Sequence, residues 1–500
     1  MLFRSLALLG VIAVSGLALR SQTFSSRKDF FGLGKADYGL DITELDMGYF
    51  VLGLGHDSLY PTLVNAAWTK LDLSGTIQQE KAFARDSVYY VVGHGNTMDV
   101  SNSGNRIFCG SSDSSQFLRT LVWKLNSNGD SIFAKPVYSI NDTGSTGFMA
   151  KWLPDGSIIA VGAVWHTGPN HQYFLAKLDS LGNVLWKKTY GGPWREECWS
   201  VDLALDGGFI LGGYKFLEDE NNPDPNADGW IIKTDANGNV QWQKLLGGQY
   251  EDGPTYAMQC ANGEFMAAGT WTDYANGAVG RSRLYAARLD LNGDTLWTRR
   301  YGASQPYNEI FTTKELPDGK FIACGLYVQT NGGLSKGCLL KYAANGDSLW
   351  LRTYQHPGAG LVSYHELRDV VQTSDGGYAA CGMMNDSLGQ DLWVIRVDSF
   401  GCLVPGCQMY DHIAEQGLAL HVGIYPNPAS ERLYISFRSG AEPTGTFKVV
   451  DSEGRVVRVF SPGGRSEEMD LDVREMKVGL YLLQYEDKKG TRWTEKFMRE

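Results

Sequence analysis

The stretch DPNADGWIIKTD, from Asp224 to Asp235, carries acids at the spacing of a calcium-binding loop. It fits the pattern D-x-[DN]-x-[DN]-G with an acid at the twelfth position, in which oxygen atoms surround the ion. If the same residues formed a strand, Asp228 and Asp235 would lie about 23 Å apart, whereas opposite calcium ligands lie about 5 Å apart. The stretch is therefore either a metal loop or a strand, and the rest of the chain decides which.

Two phrases recur along the chain and favour the strand. The first, K-x-D-x-x-G, appears as KLDLSG, KLNSNG, KLDSLG, KTDANG, RLDLNG, KYAANG and RVDSFG, at intervals of 53 to 56 residues. The second is usually an acid or asparagine, then Gly and an apolar run ending in Gly, as in DGGFILGG and DGGYAACG. In this alignment Asp228 falls where Asp391 stands in DLWVIRVD, so GWIIKTD is predicted to be the third strand of a repeat. A weak calcium site then remains only in the adjoining acidic loop, with the candidate ligands Asp219, Asp224, Asn226 and Asp228.

Each repeat holds four short strand-like runs, about the size of one propeller blade. A single four-stranded sheet cannot bury both faces, so the repeats must stack, and a closed ring removes the free ends. The last repeat lacks its fourth strand, whereas the chain begins with SRKDFFG, which matches that strand. We therefore predict an all-β protein with a seven-bladed β-propeller over residues 24–410, closed by an N-terminal strand, with six or eight blades as the alternative. The pattern resembles glycine-rich propeller repeats of exported bacterial proteins, which have many functions.

Loop length distinguishes the two faces of such a ring. Tight turns such as LNGD and PDG lie on one face. The loops that follow the second phrase and the links between blades lie on the other, which we call the long-loop face. Binding residues gather where loops are long and diverse, so we expect a ligand there. Aromatic and polar side chains on this face could stack on sugar rings or grip a peptide, or pack one loop against another: Trp165, His166, Trp194, Tyr214, Tyr250, Trp271, Tyr274, Tyr307 and Tyr364.

A carboxylate precedes the second-phrase glycine by 10 or 11 residues in five repeats, at Asp37, Glu197, Asp252, Glu309 and Glu366. If these acids begin the innermost strands, they surround the mouth of the central channel, where they could hold a cation. The alternative is that each caps N–H groups of its own blade. No hydrolase, kinase or dinucleotide-binding fingerprint stands in a fitting context, so no catalytic residue is assigned. We expect a binding or adhesion protein, with a glycan hydrolase or lyase that uses the channel-mouth acids as the alternative.

The N-terminus and the composition predict an exported protein. Residues 1–20 place a basic Arg4 before an apolar run and small residues, the pattern of a secretory signal peptide. No later apolar run is long enough for a transmembrane helix. The chain has 56 acidic and 45 basic residues, which argues against nucleic acid as a partner. Among eight cysteines, Cys402 and Cys407 are the pair close enough in sequence to suggest a disulfide.

The C-terminal residues, after a linker over 411–422, read as a small immunoglobulin-like β-sandwich over 423–500. They also resemble the C-terminal sorting domain of type IX secretion, through Tyr425, Pro426, Asn427, Pro428, a turn ending at Gly454, Gly479, Tyr481 and Lys496. The resemblance implies recognition by the type IX machinery, removal of the domain and a secreted or surface-attached product. The expected ligand is a glycan, a peptide or an envelope protein, and no cofactor is expected apart from a weak calcium ion.

Overall fold

The structure is a computed structural model whose elements are all β-strands. It divides into two compact units, residues 1–405 and 406–500. The described residues are 23–29, 34–56, 64–83, 89–93, 95–113, 118–137, 142–165, 171–217, 226–250, 252–253, 256–276, 279–328, 334–357, 359, 363–404, 407, 421–425, 429–438, 445–451, 454–461, 468–486 and 492–500. The predicted signal peptide and linker lie outside the described residues, except for 421–422.

The first unit contains seven antiparallel sheets, which we number as blades 1 to 7. Blade 1 consists of Tyr38–Leu45, Gly48–His56, Val64–Asp72 and Ile77–Ala82. Blade 2 consists of Tyr89–Val92 with Met98–Val100, then Arg106–Asp113, Arg119–Leu125 and Ser131–Pro136. Blade 3 consists of Gly144–Trp152, Ile158–Trp165, His171–Leu178 and Val184–Tyr190. Blade 4 consists of Glu196–Leu203, Phe209–Phe216, Ala227–Thr234 and Val240–Leu246. Blade 5 consists of Tyr256–Gln259, Phe265–Asn276, Val279–Leu289 and Thr295–Gln305. Blade 6 consists of Asn308–Glu315, Phe321–Val328, Ser335–Tyr342 and Ser348–Tyr354. Blade 7 consists of Tyr364–Gln372, Tyr378–Asp386, Gly389–Val397 and the N-terminal strand Phe24–Lys28.

The prediction of a seven-bladed propeller closed by an N-terminal strand is confirmed. Phe24–Lys28 pairs antiparallel with the third strand of blade 7, and the first strands of blades 7 and 1 contact each other. Phe24 stands opposite Arg396, as Trp242 stands opposite Lys233 in blade 4, so Phe24 takes the place of the recurring tryptophan. The sequence match over SRKDFFG was therefore placed several residues too late, because the strand begins at Phe24.

The phrase K-x-D-x-x-G forms the turn between the third and fourth strands. Its aspartate accepts the main-chain N–H groups two and four residues later, as Asp235 does from Asn237 and Asn239, both at 2.8 Å. Its glycine adopts a left-handed conformation, with φ of 73° at Gly238, which a residue with a Cβ rarely adopts. The glycine recurs in all seven copies, and an aspartate or asparagine in six of them, whereas KYAANG forms the turn with Ala343 in that place.

Neighbouring blades are joined by hydrogen bonds from main-chain N–H groups to polar side chains of the preceding first strand. Asp369 of blade 7 accepts the N–H of Ile42 in blade 1 at 3.1 Å, and it also pairs with Lys314 of blade 6 at 2.8 Å. Apolar clusters between the sheets bury the rest of each junction. The same kind of bond joins Asp41 to Met98, Asp99 to Trp152, Ser200 to Ala257 and Asp202 to Gln259.

The second unit is a sandwich of two sheets. One consists of His421–Tyr425, Arg432–Arg438 and Glu468–Asp472, and the other of Val456–Phe460, Thr446–Asp451, Gly479–Glu486 and Arg492–Arg499. Leu433 and Ile435 from the first sheet share one core cluster with Phe447, Leu483 and Phe497 from the second.

Ring closure also depends on one arginine. The Arg27 guanidinium pairs with Asp391 and, at 3.1 Å, with Asp386, and both carboxylates are almost fully buried. Replacing Arg27 by Ala leaves two buried charges without their counter-charge, so we expect the free energy of unfolding to fall by about 3 kcal/mol, measured by urea denaturation.

The matched control is Lys81→Ala, which removes an exposed pair with Asp130. Its expected cost is below about 1 kcal/mol. Equal losses for the two variants would show that Arg27 does not hold the closing strand.

Candidate functional site

The five recurring acids lie at or just before the first strand of their blades, at the end of the ring that also carries the long loops and the links between blades. Glu197, Glu309 and Glu366 lie within these strands, whereas Asp37 and Asp252 precede them. All five are buried, with exposed fractions between 0 and 7%. Such buried charges require partners, and the partners determine what chemistry the acids can do.

A cluster of tyrosines, glutamates and one arginine lies where blades 6 and 7 meet. The Tyr307 hydroxyl donates to Glu309 at 2.5 Å, and the Tyr364 hydroxyl donates to Glu366 at 3.0 Å. Arg368 Nε donates to the other oxygen of Glu366 at 2.6 Å. We call these five residues the mouth cluster.

The mouth cluster is arranged to hold its groups still. Burial and the charge of Glu309 raise the pKa of Tyr307, so its phenol stays protonated at neutral pH. The Arg368 guanidinium lies 3.7 Å from the ring centre of Phe311, which fixes it further. Burial also raises the pKa of the Glu309 carboxyl, and the hydrogen bond between Tyr307 and Glu309 engages both groups. The residue Tyr307 is 49% exposed while its hydroxyl is held by Glu309, so it offers a fixed aromatic surface at the channel mouth.

Glu197 in blade 4 is surrounded by donors. One oxygen accepts from Arg195 Nε at 3.0 Å and lies 3.3 Å from His171 Nδ1, and the other accepts from Trp199 at 3.2 Å. Burial opposes ionisation, but the hydrogen bond from His171 and the interactions with Arg195 and Trp199 outweigh it and lower the pKa of Glu197 to about 2. Glu197 is therefore a fixed carboxylate that cannot supply a proton at neutral pH.

Asp252 caps main-chain groups, which was the alternative considered for all five acids. It accepts the N–H of Gly248 at 2.6 Å and the N–H of Thr272 at 2.5 Å. Burial nevertheless raises its pKa to about 6, with a contribution from the neighbouring Asp228. Burial raises the pKa of Asp228 to about 6 as well.

Asp37 belongs to the closure of the ring. One carboxylate oxygen each of Asp29, Asp37 and Asp391 lies within 4.8 Å of the others, the single group of three or more metal-ligating side chains among the described residues. Arg27 pairs with Asp391 and already supplies a positive charge to this group.

The predicted aromatic contacts divide into packed and accessible side chains. Tyr214 is buried against Trp199 and Phe216, and Trp271 is covered by Tyr285 and by the guanidinium of Arg300. Tyr214 is therefore part of the scaffold, whereas Trp271 is half-buried and keeps part of its surface exposed. Trp165, Trp194, Tyr250 and Tyr364 are half-buried, and Tyr307 is exposed. His166, Asp219 and Asp224 lie outside the described residues, and of Tyr274 only the main chain is described, in a hairpin that extends blade 5.

Sequence reasoning missed the cations that neutralise the acids. Arg195 stands two residues before Glu197, and Arg368 stands two residues after Glu366. Residues two apart in a strand point to the same side, so the spacing R-x-E and E-x-R carried the signal. No such spacing pointed to Arg27, because it lies far in sequence from its partners Asp386 and Asp391.

The metal-loop interpretation of DPNADGWIIKTD does not fit the structure. Ala227–Thr234 is a strand of blade 4, and Asp235 caps the following turn. Of the four proposed calcium ligands, Asn226 and Asp228 lie in the described residues.

Among the cysteines, Cys402 and Cys407 are disulfide-bonded. Cys109, Cys198, Cys260, Cys324, Cys338 and Cys381 are buried free thiols.

In the C-terminal unit, Gly479 begins a strand in which the Tyr481 side chain is buried, and Lys496 is exposed beside the buried Phe497. Only the main chain of Tyr425 is described, and Pro426, Asn427 and Pro428 lie outside the described residues.

Comparison with known proteins identifies this C-terminal unit. Residues 423–500 match the family described as secretion system C-terminal sorting domain. The chain therefore carries a type IX sorting domain and is a secreted or cell-surface protein. No helix among the described residues combines the length and apolarity needed to cross a bilayer.

The propeller is similar to solved structures at low sequence identity, and no curated protein sequence matches the chain. Polysaccharide lyase Uly1 is 10% identical, with 72% of this chain and 90% of that chain covered and a TM-score of 0.43. An α-L-arabinanase of Penicillium chrysogenum complexed with arabinobiose is 10% identical, covering 73% and 93%, with a TM-score of 0.39. Drosophila Plexin A in complex with Semaphorin 1b is 9% identical, covering 76% and 88%, with a TM-score of 0.39. Similarities this low carry no argument about activity.

The lowered pKa of Glu197 predicts how stability depends on pH. A carboxylate whose pKa falls from 4.5 to about 2 on folding stabilises the protein above pH 4.5, and this contribution is lost as the pH falls towards 2. We expect Glu197→Gln to be less stable than the parent by about 2 to 3 kcal/mol at pH 7. Denaturation between pH 7 and 2.5 should show this difference shrinking. A difference that is constant with pH would rule out the charge of Glu197 as its source.

Proposed function

We propose that this secreted or cell-surface protein is a non-enzymatic binding or adhesion protein that engages its ligand through the long-loop face. The observation that carries the proposal is the mouth cluster, where the exposed ring of Tyr307 is held by Glu309. A side chain that is already fixed loses little conformational entropy on binding. An aromatic ring beside carboxylates and an arginine suits a glycan, whose sugar rings have apolar faces and hydroxyl edges. A peptide and an envelope protein are the other ligands to test.

The alternative, a glycan hydrolase or lyase that uses the channel-mouth carboxylates, has less support. A hydrolase needs one carboxyl group that gives a proton and another that stays ionised nearby. Glu197 is held ionised by His171 and Arg195, and Glu366 is paired with Arg368. Burial raises the pKa of Glu309, and its carboxylate oxygen is engaged by the Tyr307 hydroxyl, so each of these acids already has a structural partner.

The proposal predicts which substitution weakens binding. The full-length protein is screened against glycan and peptide arrays, and the affinity of Tyr307→Ala for the ligand found is measured by calorimetry. We expect at least a tenfold weaker Kd, about 1.4 kcal/mol, because the stacking surface is removed. The control is Phe400→Ala, because Phe400 is 48% exposed and lies in a tight turn on the opposite face. An equal loss in both variants would contradict binding at the mouth cluster.

The enzymatic alternative is tested on the same ligands. Glu197→Gln and Glu366→Gln are assayed for polysaccharide cleavage beside the parent protein. We expect no product from any of them. Product formed by the parent and lost in either variant, with binding retained, would replace the binding proposal with catalysis by these carboxylates.

A further inference from the structure

Two blade junctions place equivalent carboxylates side by side. Between blades 7 and 1, the N–H of Asp37 donates to the carbonyl of Gln390, and oxygens of Asp37 and Asp391 lie within 4.8 Å of each other. Between blades 4 and 5, the N–H of Asp252 donates at 2.7 Å to the carbonyl of Ala227, the residue before Asp228. Asp228 and Asp252 therefore repeat the arrangement of Asp391 and Asp37.

The two junctions differ in how the negative charge is balanced. At the closure, Arg27 stands opposite Trp393 and pairs with Asp391. In blade 4 the residue at the same register, opposite Trp230, is Leu245. The arginine that neutralises one pair is thus replaced by an apolar residue at the other. The adjoining segment 218–225 contains four acids and neither lysine nor arginine.

The carboxylate of Asp228 has no arginine at the position from which Arg27 balances the charge of Asp391. The residue Asp228 is 7% exposed, and its buried Oδ1 has no hydrogen-bond partner among the described residues. Lys215 stands opposite it in the ladder, but the ammonium donates to Glu196 at 2.6 Å and lies over the ring of Trp230. The Asp228 carboxylate fills the space beside Gly247, where a Cβ would collide with it.

Further oxygens belong to the adjoining blade 5, where the charge of Asp228 acts on the Asp252 carboxylate. Each oxygen of Asp252 accepts one main-chain N–H and keeps a lone pair available. The Thr270 hydroxyl, which lies against Gly253 next to Asp252, is buried and has no hydrogen-bond partner among the described residues. Two carboxylates and a hydroxyl form a hard oxygen donor set, which suits a small divalent cation.

We propose that Asp228 and Asp252, with the hydroxyl of Thr270, bind a divalent cation of the calcium type at the junction of blades 4 and 5. The ion takes the place that Arg27 has at the closure. The site differs from a calcium loop over Asp224 to Asp235, because it uses Asp252 of the next blade and leaves Asp235 in its turn.

The test measures calcium binding and thermal stability of the full-length protein. Titration calorimetry of the parent should give one site with a Kd on the order of 10⁻⁴ M, and calcium should raise Tm. Asp228→Asn should lose both effects. In EDTA this variant should melt at or above the parent temperature, because it removes a buried charge that lacks a partner. That result also shows that the variant folds.

The matched control is Asp235→Asn, which alters the other end of the calcium-loop pattern and should keep calcium binding. Asp252→Asn should lose binding as Asp228→Asn does. The proposal is overturned if the parent binds no calcium at 10 mM, if Asp228→Asn binds like the parent, or if Asp235→Asn alone loses the ion.

Discussion

The structure depends on the pairing of Phe24–Lys28 with Gly389–Val397, because seven sheets bury their faces only when the ring closes. Without the N-terminal strand, blade 7 would expose a strand edge and blade 1 would lose the contact of Phe24 with Gly75. Closure joins the N-terminal strand to the last blade of the propeller. The pair of Arg27 with buried carboxylates adds a charge interaction to this closure.

The same ring explains why recurring acids are not evidence of a shared activity. Seven first strands meet around one axis, and polar side chains there accept N–H groups of the next blade. Asp369 does so for Ile42, while Glu197 pairs with Arg195, which lies just before its strand, and Glu366 pairs with Arg368 of its own strand. The acids thus recur because every blade needs polar contacts at its first strand. Different residues supply the partners of these acids in each blade. The mouth cluster stands apart because it leaves one aromatic ring exposed.

Periodicity made most of the fold predictable from the sequence. The K-x-D-x-x-G turns have a local cause, since Asp235 and Gly238 satisfy the turn by themselves. The partners of the acids were harder to foresee, because Arg27 reaches Asp391 only after the ring closes. Nor did the sequence reveal that Arg300 covers Trp271 or that Tyr214 is buried, since both depend on packing between distant segments.

The proposed binding function agrees with export of the protein. The sorting domain directs the chain out of the cell, where the long-loop face can meet glycans or envelope proteins. Hydrogen–deuterium exchange of the full-length protein, with and without a glycan that it retains, tests the central claim most directly. The account predicts slower exchange in the links 191–195, 247–250 and 303–307 and unchanged exchange in the tight turns 72–76 and 235–239. Protection confined to the tight turns, or to residues 423–500, would contradict it.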